Sequence, residues 1–403
     1  MNPSFDTSPT LTAWRALLAI AVVFVMLATT GWTAVRHQPS DEPRERALAA
    51  WTHARARGRP VPALDAPVSV IARFFASLSA ADRLSLADHH PLVVGNLNGV
   101  PVALRYHANR HALRDAEAVE QRRTHDPGLS LDGRTEARLR LERFRAMLSG
   151  DRQILSFDPS GRGRAAEVFG DLDRARRVSV VVPGVDTQLL TLERENRPNS
   201  APVGMAKSLY AAERDARPDV RTAVIAWADY TAPAGIGMDA VLGGLATQGA
   251  LRLNALVAAL PGKATVSLVC HSYGSVVCGV AAHRLPSRVT DIAVAGSPGM
   301  RSASAAALGT RARVWAMRDE DDWIADVPNL EVGGLGHGAD PVDPEFGARI
   351  VSAGDAVGHS GYFEPGTESL RNFAAIGVGS YTTVGCASAD RACLSGISGG
   401  TDV

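Results

Sequence analysis

The stretch KATVSLVCHSYGSVVCGVAAHRL, Lys263 to Leu285, decides how the rest of the chain is read. Its first part, Thr265 to Cys270, is a continuous β-favouring run, the pattern of a strand covered on both faces. Its second part, from Gly274 onward, is a helix pattern rich in small residues. Ser272 stands between them with no room for a loop. A strand that turns straight into a helix holds the junction residue in a sharp, strained turn with its side chain at the sheet's edge, the placement a nucleophilic serine needs. The elbow is Cys270-His271-Ser272-Tyr273-Gly274. Positions two before and two after the serine must be small for strand and helix to approach. Gly274 meets this, whereas Cys270 departs from the G-x-S-x-G pattern. The following helix would aim its positive N-terminal dipole at the same point. A plainer alternative makes Ser272 only the N-cap of that helix.

Working outward, strands alternate with helices. QILSFDP, GRAAEVFGD, RRVSVVVPGVDT, RTAVIAWADY, VTDIAVAGSPGM, ARVWAMRDEDDW and ARIVSAGD read as strands. Helices are expected over ERENRPNSAPVGMAKSLYAAERDARPD, GGLATQGALRLNALVAALPG, SASAAALGT and GTESLRNFAAIGVG. Apolar strands interleaved with helices predict an α/β fold around a mostly parallel sheet. PGVDT is not followed by G-K-[ST], so it is no phosphate-binding loop.

A serine nucleophile needs a base, an acid to orient the base, and donors for the oxyanion. After the strand ARVWAM come Asp319, Glu320, Asp321 and Asp322. Asp322 sits where the loop should turn back, with Asp319 second. His359 lies in the Gly-flanked loop SAGDAVGHSGYF before the last helix, and His337 in GGLGHGAD is its rival. The turn after VVVPG places the backbone N–H of Val185 beside that of Tyr273 as an expected oxyanion hole.

Several segments in order, VVGNLNGVPVALRYHANR, ILSFDPSGRGRAAEVFGD, VVVPGVDT, VIAWADYTAP, HSYGSVV, the carboxylate loop and GHSGYF, resemble the actinobacterial α/β-hydrolases long described as a domain of unknown function. The resemblance runs from about Leu84 to Val378. It implies an α/β-hydrolase fold and a triad of Ser272, Asp322 and His359, with no cofactor and no metal. The expected activity is serine hydrolysis of a carboxylic ester, with lipid esters one candidate class, through an acyl-enzyme. An amidase or peptidase on the same residues, or an inactive tethered binding protein, are the alternatives.

The beginning of the chain differs. WRALLAIAVVFVMLATTGWTAV, Trp14 to Val35, is apolar for about twenty residues, enough to cross a hydrocarbon core as a helix. The expectation is a cytoplasmic tip and transmembrane anchor, or a signal segment, over 1–36, which puts the hydrolase outside the cytoplasm or in secretion. A polar linker is expected over 37–60, a helical region packing on the hydrolase over 61–150, the hydrolase over 151–380, and a Gly/Ser-rich tail over 381–403. Within the helical region Ser79 reads as an N-cap before AADRL, and PLVVGNLNGVPVALRYHANR as loop.

Lys plus Arg and Asp plus Glu both number 42. That balance offers no basic footprint for nucleic acid. Of four cysteines, Cys270 and Cys278 read as buried thiols, while Cys386 and Cys393 read as a disulfide suited to an oxidising compartment. With no C-x-x-C pair, no structural zinc site is expected.

Overall fold

The structure is a computed structural model that describes residues 42–332, 335–387 and 391–397. The apolar span expected at 14–35 lies outside these residues. Among the described residues no helix is long and apolar enough to cross a membrane.

Eight strands form the central sheet: β1 Gln153–Asp158, β2 Arg164–Gly170, β3 Arg177–Val182, β4 Thr222–Ala228, β5 Thr265–His271, β6 Val289–Ala295, β7 Arg313–Met317 and β8 Arg349–Ile350. Their spatial order is β8-β7-β6-β5-β3-β4-β2-β1. From β4 through β3 to β8 every pairing is parallel, and β2 runs against both β1 and β4. The strands are apolar at consecutive positions because both faces are covered. Val180, Val182, Leu268 and Cys270 join one core, and the intervening Val181 and Val269 join the other.

Helices of nine or more described residues are numbered α1 Glu42–Thr52, α2 Val68–Ala76, α3 Ala80–His89, α4 Val102–Arg123, α5 Leu131–Leu148, α6 Pro202–Ala216, α7 Gly244–Ala259, α8 Tyr273–Ala281 and α9 Glu368–Val378. α7 and α8 cover the first core; α6 and α9 cover the second. The chain enters the sheet's centre along β5 and leaves along α8, so Ser272 sits at the carboxyl edge of the parallel strands.

The N-terminal helices close the sheet's other problem, its β1 edge. An open edge strand presents unpaired N–H and C=O groups. Here the Asn96 amide donates to the carbonyl of Phe157 at 2.8 Å and accepts from its N–H at 2.9 Å, pairing with β1 as a strand would. Buried Asn109 donates to the carbonyls of Gly95 and Ile154 at 3.0 and 2.9 Å. Phe144 of α5 meets Phe157 edge-on beneath them.

Several expectations change. The linker over 37–60 is, from Glu42 onward, a helix followed by a short hairpin of Arg55–Ala56 with Arg59–Pro60. The run Ala-Leu-Ala-Ala-Trp favours helix, and Trp51 buries its ring while its Nε1 donates to the Pro62 carbonyl. The expected loop after Pro91 instead starts the 22-residue α4 at Val102, because Gly99 and Pro101 precede the helix rather than interrupt it. ARIVSAGD pairs for only two residues, and SASAAALGT forms a single 3₁₀ turn. Ser79 does cap α3, accepting from the Asp82 N–H. The described part of the tail, 381–387 and 391–397, packs on the sheet: Tyr381 stacks on Trp315, and Val384 and Cys393 are buried in the α9-side core.

Candidate active site

Ser272 adopts φ 54° and ψ −130°, a conformation a non-glycine residue holds at a cost on the order of 1–3 kcal/mol. Two fixed neighbours enforce it. Its N–H donates to the Ala295 carbonyl at 3.0 Å on β6, and its carbonyl accepts from the N–H and hydroxyl of Ser275. A Cβ on Gly274 would lie 2.1 Å from the Val182 carbonyl oxygen, so only glycine fits there. A Cβ on Gly184 would lie 2.7 Å from the Ser272 Cβ, which shows how closely the turn after β3 abuts the serine. Position 270 tolerates a side chain because that side chain is used. Cys270 and Cys278, expected as separate thiols, form a disulfide that ties the end of β5 to α8 across the elbow. Cys386 and Cys393 form a second.

His359 comes from the 3₁₀ turn Gly358–Phe363 before α9. Its Nε2 is 2.9 Å from the Ser272 Oγ, and its Nδ1 is 2.8 and 3.1 Å from the two Asp322 oxygens. Asp322 lies just beyond β7, is buried, and also accepts from the Tyr362 hydroxyl at 2.6 Å and the Ile324 N–H at 3.0 Å. Burial alone would raise its pKa. The bonds from His359, Tyr362 and Ile324 outweigh that and hold the carboxyl below its ordinary value. The three side chains form one hydrogen-bonded chain from hydroxyl to imidazole to carboxylate.

The rivals stand elsewhere. Asp319 accepts from the Gly358 N–H at 2.7 Å and so fixes the histidine's loop rather than its ring. His337 is buried against the Tyr273 ring, and loss of solvation pushes its pKa down to about 4. Tyr273 follows Ser272 as the first residue of α8, and Val185 follows Gly184, the residue of the turn after β3 that abuts the serine side chain. The Val185 turn is held rigidly: the Tyr230 hydroxyl donates to the Pro183 carbonyl at 2.5 Å, and the Thr187 hydroxyl to that of Gly184 at 3.0 Å.

Four residues have roles that the sequence does not reveal, although His271 belongs to the elbow already named. His271 of the elbow is buried, and its Nε2 donates to the His359 carbonyl at 2.6 Å. Desolvation, then the nearby His359, pushes its pKa down to about 3, so the ring stays neutral. Trp323 lays its ring 4.7 Å from that of His359 while remaining 45% exposed. Tyr362 and Tyr230 complete the support. None has a motif of its own; only Tyr362, three residues after His359 in one helical turn, carries a spacing that points at the same site.

The family comparison agrees with this architecture. A family model described as alpha/beta hydrolase matches residues 158–332. The uncharacterized protein Rv2079 of Mycobacterium tuberculosis is 30% identical over 379 residues, 79% of this chain and 56% of the relative. The uncharacterized Rv0963c of the same organism is 31% identical over 202 residues, 48% of this chain and 74% of the relative. The chain thus spans about half the length of the first of these relatives. Among solved structures, an α/β serine hydrolase without a lid from Xanthomonas campestris aligns with a TM-score of 0.32 at 16% identity, over 57% of this chain and 95% of its own. With its strand order, its serine elbow and these matches, the chain belongs to the α/β-hydrolase family, as a relative of these two uncharacterized mycobacterial proteins.

Proposed function

We propose that the protein is a serine hydrolase that cleaves a carboxylic ester through an acyl-enzyme, with Ser272 as nucleophile, His359 as general base and acid, and Asp322 as the residue that orients the imidazole. The observation that carries this reading is the unbroken chain Ser272 Oγ, His359 Nε2, His359 Nδ1, Asp322 at hydrogen-bond distances on a strained strand-to-helix turn.

Ser272 Oγ attacks the ester carbonyl as its proton passes to His359 Nε2. The backbone N–H groups of Val185 and Tyr273 receive the oxyanion. Protonated His359 then gives its proton to the departing alkoxide, leaving Ser272 acylated. A water, deprotonated by the same Nε2, attacks the acyl carbonyl and returns the serine. Asp322 holds the Nδ1–H tautomer throughout and balances the imidazolium charge. No step calls for another group.

An apolar acyl chain is the substrate class favoured by the surface around the serine. Gly235 N–H bonds the Asp186 carboxylate beside the Val185 turn, and the next residue, Ile236, is 72% exposed. On the histidine side Val357, two residues from His359, is 78% exposed, and Trp323, whose ring stands beside that of His359, is itself exposed. Exposed apolar side chains gathered around a polar reaction centre suit an ester with a hydrocarbon arm. Two disulfides, with no free cysteine among the described residues, support a location in an oxidising compartment. With the apolar segment at 14–35, this fits a membrane-anchored or secreted enzyme acting beyond the cytoplasm.

A fluorophosphonate probe tests the core of the reading. The parent chain should label and Ser272→Ala should not; a folded parent that never labels would refute it. Paired p-nitrophenyl esters and anilides, with acyl chains of increasing length, should show ester cleavage that improves with length.

A further inference from the structure

Away from the serine, one cluster of side chains is arranged as a ligand set. α3 and α4 pack together through Leu86, Ala87, Leu104 and Ala108. On the solvent side of that seam α4 presents His107 and His111, four residues apart and so on one helix face. α3 presents Asp88 opposite them. The Nε2 atoms of His107 and His111 stand 2.7 and 3.3 Å from the same Asp88 oxygen, and the three atoms lie within 4.8 Å of one another. The two rings are 4.7 Å apart, centre to centre.

An ordinary surface ion pair needs one imidazole for one carboxylate. Here two imidazoles turn their Nε2 atoms toward a single oxygen, which leaves the three donors facing one point.

We propose that Asp88, His107 and His111 bind a divalent transition-metal ion of the zinc class. Two imidazole nitrogens and one carboxylate oxygen suit zinc, copper or nickel, and not magnesium or calcium, which prefer oxygen alone. In a tetrahedral zinc site with bonds of about 2.0–2.1 Å, neighbouring donor atoms stand roughly 3.3 Å apart. Side chains this exposed reach that spacing by small rotations, and water takes the remaining position. The ion would clamp α3 to α4 within the helical block that covers β1. The site belongs to that block and not to the sheet edge carrying Ser272, so the ester reaction does not use it. Cysteine spacing gives no hint of it, because its ligands are a His pair and an aspartate from a separate helix.

Titration of the full chain, free of any histidine tag, with Zn²⁺ by calorimetry tests the site. One equivalent should bind. His107→Ala, His111→Ala and Asp88→Asn should each weaken binding by at least about 10-fold, a loss of the size seen when a metal's supporting contacts are removed. His125→Ala, on another part of the surface, should not. Zinc at a hundredfold excess over its Kd should raise Tm by roughly 5 °C, and the gain should vanish in the three variants. Affinity should fall as the solution is made acidic, because metal binding releases protons from its ligands. Circular dichroism and fluorophosphonate labelling of the variants should match the parent, which separates loss of the site from loss of the fold. No zinc binding by the folded parent, equal affinity for Mg²⁺, or binding that survives in the His107→Ala/His111→Ala double variant would overturn the proposal.

Discussion

Tyr362 does for Asp322 what a second backbone donor would do. Its buried hydroxyl donates to the carboxylate and accepts from the Asp319 N–H at 3.0 Å, which ties Asp319 and Asp322 to the histidine's own turn. Tyr362→Phe removes that donor without changing the ring. A hydrogen bond to a charged group is worth about 1.5–3 kcal/mol, so kcat should fall roughly 10- to 100-fold while KM stays near its parent value. Steady-state kinetics on a p-nitrophenyl ester checks this; an unchanged kcat would detach Tyr362 from the chemistry. At this scale the sequence was informative where a residue's place in the chain fixes its place in space. Ser272 lies at a strand end, Asp322 just beyond the next strand but one in the sheet, and His359 before the last helix. It was silent where only three-dimensional proximity matters, as for His271, whose ring bonds a carbonyl 88 positions away.

At the scale of elements, the elbow is held by covalent as well as steric means. The Cys270–Cys278 bond encloses a short loop whose closure restricts the unfolded chain. By loop length it should contribute about 2–3 kcal/mol, and Cys270→Ala/Cys278→Ala should lower the urea midpoint accordingly while fluorophosphonate labelling persists. A second element-level feature is the buried Glu213 of α6, which accepts from the hydroxyls of Ser179 on β3 and Thr222 on β4. Desolvation, only partly offset by those bonds and by Arg177, raises its pKa to about 7. The folded value lies above the unfolded one of about 4.5. The native state therefore holds an extra proton between those values, and stability is lost as pH rises from about 4.5 through 7. Glu213→Gln removes that dependence. The variant should gain on the parent from pH 5 to pH 8 by on the order of 2 kcal/mol in denaturant melts, and a constant difference across that range would refute the cause given. Neither feature is legible in one dimension. Cysteine pairing needs a distance, and Glu213 sits in a helix pattern that ordinarily puts glutamate in water. The strands themselves were legible, because continuous Val, Ile and Ala runs have no other economical place than a sheet covered on both faces.

Across the whole molecule, the N-terminal helices and the hydrolase behave as one folded body. Arg152 at the start of β1 pairs with Glu167 of β2 and with Glu193, which Arg143 of α5 also engages, so a charged network spans the seam. A chain beginning at residue 151 would lose Asn96, Asn109 and Phe144 and bare the β1 edge. It should elute as aggregate in size-exclusion chromatography, whereas the chain from residue 42 should elute as a discrete species. The loop-like look of the segment before Val102 hid this dependence, since its Asn96 serves Phe157, 61 residues later. At the opposite margin, the segment after α9 returns to the sheet. Ala387 N–H donates to the Ile350 carbonyl at 3.2 Å, Ser352 N–H to that of Gly385 at 2.9 Å, and the Cys386–Cys393 bond holds the turn in place. Both rims of the sheet are thus sealed by segments outside its strands, the helical block before β1 and the stretch that follows α9. Removing the segment that carries Gly385 and Ala387 would unseal one of them, and the first sign would be slow fibrillar self-association of a protein whose Ser272 still takes up the fluorophosphonate.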